Sequence, residues 1–160
     1  MTLLERLLGH DQAATQELLK LCLPLSPADF DREFDAGWRT LRSTFEHMIF
    51  NIETWTDLML ARPLRDIEGH NSPAELLARL DPSYREFATL AQRIEAEGRL
   101  DEKWTDTLDD PPQQKSFGGA IAHVITHNMH HRAELQHMLH RLPLPHVPEG
   151  DLMGWEMRHG

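Results

Sequence analysis

The chain has 160 residues, 40% hydrophobic and 26% charged, which suits one globular domain (residues 1–160) with a proper core. A formal net charge of −10 argues against nucleic acid as a partner, because phosphate binders carry basic patches. Nor does any apolar run approach the roughly 18 residues of a membrane span, and no basic amphipathic segment of the membrane-surface kind is present.

The opening Met1-Thr-Leu-Leu-Glu-Arg lacks the basic and then apolar regions of a signal peptide. The single cysteine, Cys22, excludes an internal disulfide and fits a reducing compartment, so a cytoplasmic location is expected. The compositional anomaly is the eleven histidines.

Four long segments carry a helical period. The first runs from about Thr2 to Leu23, with a Thr2/Glu5 capping box and an apolar face that includes Leu4, Leu7, Leu8, Leu18 and Leu19. Pro24 stops it, and Ser26-Pro27-Ala-Asp29 reads as a short capped turn. The second helix is expected from about Trp38 to Ala61. Its stripe is Leu41, Phe45, Met48, Ile52, Trp55 and Met59, with Trp38 also read as core.

A second capping box, Ser72-Pro73-Ala-Glu75, opens the third helix, which Gly98 ends. Pro82 lies inside that run, so a kink or short break is expected near Asp81. Residues 99–116 lack a helical period and allow a small hairpin around Lys103-Trp-Thr-Asp and Asp-Asp-Pro-Pro. The fourth helix runs from about Ser116 to Leu142, and Trp155 lies in a tail that docks on the body. The expected fold is an all-α, antiparallel four-helix bundle.

The fourth helix holds His123, His127, His130 and His131 within nine residues. His127 and His131, four apart, stack on one face and can grip one metal ion at about 2.0–2.1 Å. That face continues through Val124, Leu135, Met138 and Leu142, so both rings must be ligated or otherwise satisfied. His123 lies about 12 Å from His131 along the axis, so one ion cannot reach both. The best third ligand is His47, in the middle of the second helix. Facing helices of a bundle commonly supply such ligand sets.

Other residues read more plainly. His130, His137 and His140 fall off the core row. His123 reads as a group behind the ligands or facing solvent, and His10 sits on a more polar face. Arg132 reads as a surface ion-pair partner, Cys22 as a buried apolar residue, and Asp29, Asp31, Glu33 and Asp35 as a solvated acidic face. Asn51, one turn after His47, reaches either a metal-bound water or a neighbouring helix. No general base is evident, since Glu134 reads as lying on the flank.

Three stretches resemble the DinB-like superfamily of metal-binding four-helix bundles. Leu41-Arg-Ser-Thr-Phe-Glu-His47-Met with Trp55 resembles its second helix, which bears a lone ligand histidine. His123-Val-Ile-Thr-His127-Asn-Met-His130-His131-Arg132 resembles its fourth, and Pro148-Glu-Gly-Asp151-Leu-Met-Gly-Trp155 its closing segment. Ala133-Glu134 departs from the Gly-Gln that many members carry there. The resemblance implies one divalent ion, zinc or nickel, on His47, His127 and His131, with water in the open positions. It also implies a homodimer, and its partners are a small-molecule thiol and an electrophile.

Three protein ligands with an open position are a catalytic pattern, whereas structural zinc is usually closed by four. The leading expectation is a metal-dependent enzyme that activates a low-molecular-weight thiol for transfer of its sulfur to an electrophile. Hydrolysis through bound hydroxide and a non-catalytic metal-stabilised binding protein are the alternatives.

Overall fold

A computed structural model describes residues 1–66 and 69–159. Its elements are α1 (Leu3–Leu21), α2 (Pro27–Phe30), α3 (Leu41–Met59), α4 (Pro73–Ala96), β1 (Lys103–Asp106), β2 (Gln113–Ser116), α5 (Phe117–Leu139) and α6 (Leu152–His159). Both expected capping boxes form: Thr2 with Glu5 opens α1 and Ser72 with Glu75 opens α4. Each satisfies two otherwise orphaned backbone N–H groups. β1 and β2 make the small antiparallel hairpin, with Lys103 opposite Ser116.

The four-helix bundle forms as expected, but only two of its four neighbouring pairs are antiparallel, as cross-helix contacts show. Around the core the order is α1, α4, α3, α5. α1 opposes α4, with Thr2 reaching Glu95 and Gln12 reaching Asp81. α3 opposes α5, with His47 beside His131 and Trp55 beside His123. The other two neighbouring pairs are parallel. On α3 and α4, Glu46 meets Asn71 just before α4 while Glu53 meets Arg79 and Ser83. The connection after α3 therefore returns along the bundle. Asp57 anchors it through Arg62 and Arg65, and Glu46 receives the Asn71 backbone N–H at 2.8 Å.

Two boundaries differ from expectation. α3 starts at Leu41, capped by Thr40, and Trp38 is 50% exposed rather than core. The left-handed backbone of Gly37 (φ 44°) and Arg39 (φ 70°) stops the helix from extending backwards. α4 runs unbroken through Pro82. Pro82 cannot donate to the Ala78 carbonyl, but Ala78 is exposed and water can take that bond. The expected break is therefore absent.

Among the buried polar groups, which include Glu53 and Asp57, one cluster ties three helices together. Asp11 of α1 is fully buried and collects donors from two other helices. Tyr84 Oη donates to Asp11 Oδ2 at 2.7 Å and Asn128 Nδ2 donates to the same oxygen at 2.8 Å. The Arg132 guanidinium pairs with Asp11 Oδ1. Arg132 is 6% exposed, which corrects its reading as a surface residue. Burial, followed by the Asp11 charge, pushes the Tyr84 hydroxyl well above its usual pKa, so it stays a donor.

The tail docks as expected. Trp155 is buried against Gly9 of α1, where an added Cβ would lie 2.6 Å from the indole. A mid-helix glycine costs about 1 kcal/mol against alanine, and this close approach offsets it. Arg6 pairs with Glu156 at 2.6 Å, and His10 Nε2 lies 2.7 Å from the Gly150 carbonyl.

Replacing Asp11 by Asn strands the buried Arg132 charge, a loss of about 3–5 kcal/mol. Arg85→Ala breaks only the exposed pair with Asp81 and costs about 0.5 kcal/mol or less. Urea denaturation of the two variants checks the contrast. Equal small losses would mean that the network does not hold the bundle.

Candidate metal centre

Asn128 and Arg132 follow His127 and His131 by one residue each, a rotation of about 100° on the helix. Asp11 draws the first pair inward, so the second pair is turned towards α3. There His47 meets them. His127 Nε2 lies 3.2 Å from both His47 Nε2 and His131 Nε2, and the three ligand atoms all fall within 4.8 Å of one another. The structure thus brings together the three histidines singled out in the sequence. His123 stays outside, exposed, with its ring 4.9 Å from Trp55 and 5.4 Å from His127. His10 is occupied by the tail.

The outer nitrogens are also held. His131 is 6% exposed, and its Nδ1 donates to Glu134 Oε2 at 2.7 Å. A carboxylate accepts only, so this bond fixes the proton on Nδ1 and leaves the Nε2 lone pair facing the other rings. Glu134 is therefore more than the flanking residue the sequence suggested. A carboxylate three residues after a ligand histidine is the signal that could have found it. Its other oxygen lies 3.2 Å from exposed His130. His130, His131 and Glu134 form a second possible ligand group, but it shares His131 with the triad.

The loop before α3 completes the surround. A Cβ at Gly37 would run into the Glu134 carboxylate, so this loop needs glycine for close approach as well as for its positive φ. The next residue, Trp38, stacks on His47 with centroids 4.4 Å apart. On the other side, Asn51 is buried, its Nδ2 lying 3.2 Å from His127 Nδ1, and its Oδ1 accepts from Trp55 Nε1 at 2.9 Å. Asn51 thus makes the helix–helix contact, one of its two expected roles.

Burial, followed by the neighbouring His131, lowers the His47 pKa to about 4, and the same causes lower His127 to about 4. His123 is also lowered, by burial and then by Lys115. Neutral rings with convergent lone pairs are what a divalent ion requires. The imidazole-only donor set suits zinc, nickel or copper rather than calcium or magnesium. His47 and His127 are only half-buried, so solvent reaches the cleft.

Because His47 and His127 are lowered from 6.5 to about 4, the unfolded chain binds protons that the folded chain refuses in this range. Their contribution to stability is complete above 6.5 and is lost as the pH falls towards 4. Metal-free protein should therefore melt at progressively lower temperature across that window, and the variant with both His47→Gln and His127→Gln should show a shallower slope. Parallel melting curves for the two proteins would contradict this assignment.

Comparisons with known proteins agree with the architecture. The crystal structure of a protein assigned to the DinB family, from Exiguobacterium sibiricum 255-15, superimposes with a TM-score of 0.64 at 20% identity. The match covers 94% of this chain and 99% of that one, and at this identity it speaks for the fold. No curated protein matches the chain. The family model described as DinB family matches residues 1–148, and the chain therefore belongs to the DinB family.

Proposed function

We propose that the protein binds one divalent ion, zinc or nickel, on His47, His127 and His131, and activates a low-molecular-weight thiol for S-transfer to an electrophile. The observation that carries this reading is the convergence of three imidazole nitrogens in a half-buried cleft, with Glu134 orienting one ring from behind. An ion held there would stabilise the thiolate left when the thiol gives its proton to bulk water. The sulfur lone pair would then form the new bond to the electrophile, whose leaving group would depart with its electron pair.

The chain's own side chains do the rest. Glu134 keeps the His131 Nε2 lone pair turned inward. Trp38, half-exposed, stacks on His47, and on the other side Trp55 packs beside His123. Cys22 is no competing nucleophile, since burial pushes its thiol up to about 12. The reading includes a homodimer in a reducing cytoplasm. Among the described residues, no helix is long and apolar enough to cross a membrane.

Purified wild-type protein should carry close to one metal equivalent. His131→Ala should lose it and His130→Ala should keep it, because His130 is exposed, lies beside Glu134 and is not one of the three convergent rings. Elemental analysis of the two variants decides, and equal loss in both would mean that the rotational phase assigned to α5 is wrong.

In cobalt-substituted protein, a millimolar thiol should add a sulfur-to-metal charge-transfer band. Conjugation of electrophiles should require both metal and thiol, and should fall at least about tenfold in Glu134→Ala through loss of ligand orientation. If no thiol perturbs the site and ester or amide cleavage is seen instead, hydrolysis replaces transfer. If metal removal only lowers the melting temperature, the protein is a metal-stabilised binding protein.

A further inference from the structure

The hydrogen bonds around His127 assign its proton, and that assignment conflicts with ligation. Trp55 Nε1 is only a donor, so the Asn51 oxygen 2.9 Å away must be its acceptor. The amide nitrogen of Asn51 then faces His127 Nδ1 at 3.2 Å and donates to it. His127 Nδ1 therefore carries the lone pair, and the neutral ring carries its proton on Nε2. That N–H points between the Nε2 lone pairs of His47 and His131, each 3.2 Å away. In the metal-free protein a single proton thus occupies the place of the ion.

We propose that Asn51 is the tautomer switch of this centre. Loading through His127 Nε2 requires the proton to move to Nδ1 of the same ring, and Nδ1–H then faces the amide N–H₂ of Asn51, donor against donor. Rotation of the Asn51 amide by half a turn presents Oδ1 to His127 Nδ1–H and releases the Trp55 indole N–H to solvent. The ring stays neutral throughout, and no proton is gained or lost. The inference rests on the metal-binding part of the proposed function and makes Asn51 a positioning residue acting through His127. Trp55 is then the group whose hydrogen bond opposes loading.

Zinc titration of isotopically labelled protein tests both statements. Long-range proton–nitrogen spectra should show His127 as the Nε2–H tautomer without metal and as Nδ1–H with it. The Trp55 indole N–H resonance should move in step. Trp55→Phe removes the bond that must break, so it should bind zinc about threefold to tenfold more tightly than wild type, whereas a purely structural Trp55 would make the same variant bind more weakly.

Asn51→Asp offers acceptors to both neighbours and should show His127 as Nδ1–H even without metal. Zinc that binds with the indole resonance unmoved, or a metal-free His127 already protonated on Nδ1, overturns the switch and leaves the metal site standing. No zinc binding at all overturns both.

Discussion

The Asp11 carboxylate sets the rotational phase of α5, and the candidate centre depends on that phase. α5 carries two adjacent polar rows, Asn128 with Arg132 and His127 with His131, offset by one residue. Apolar burial alone does not decide which row turns into the middle of the bundle. Asp11 decides it, because it is fully buried and finds its donors on Asn128 and Arg132 as well as on Tyr84. A buried ion pair contributes little net stability over an apolar replacement. Its effect here is one of register: with Arg132 pinned to α1, His127 and His131 have to face α3.

Much of this was legible in the sequence. The helix starts at Thr2, Ser72 and Ser116 are written in local capping chemistry, and they appear where the pattern put them. The three histidines follow from spacing together with the apolar stripes on which they lie. Side chains whose role depends on a distant partner were not legible. Arg132 reads as a surface cation until Asp11, 121 residues away in sequence, is placed beside it. Trp38 reads as core because it is large and apolar, but the left-handed residues on either side hold it in a loop over His47. Pro82 reads as a helix breaker because propensity counts the lost hydrogen bond. It cannot foresee that Ala78, whose carbonyl loses its partner, is exposed to water.

Glu134 joins these two themes. Its carboxylate brings a negative charge to the back of His131. Glycine at position 37 lets the loop pass close to it, in a left-handed conformation that glycine favours. The loop that carries Trp38 and the helix that carries His131 are thus fitted to each other through one carboxylate. A larger residue at 37 would displace both the orienting group and Trp38.

The parallel course of α3 and α4 has a consequence for how the chain reaches this structure. In an up-and-down bundle each helix folds back on the one before it, and local hairpins lead the way. Here no two consecutive long helices form such a hairpin. α3 and α4 are parallel neighbours joined by a connection that runs back along the bundle, while α1 with α3 and α4 with α5 lie across the diagonals. Every extensive helix-to-helix interface therefore joins partners distant in sequence or separated by a full-length return. Contact order is accordingly higher than helix content alone suggests, and such chains fold more slowly than simple bundles. The three rings, drawn from positions 47, 127 and 131, can meet only once that long-range closure is complete.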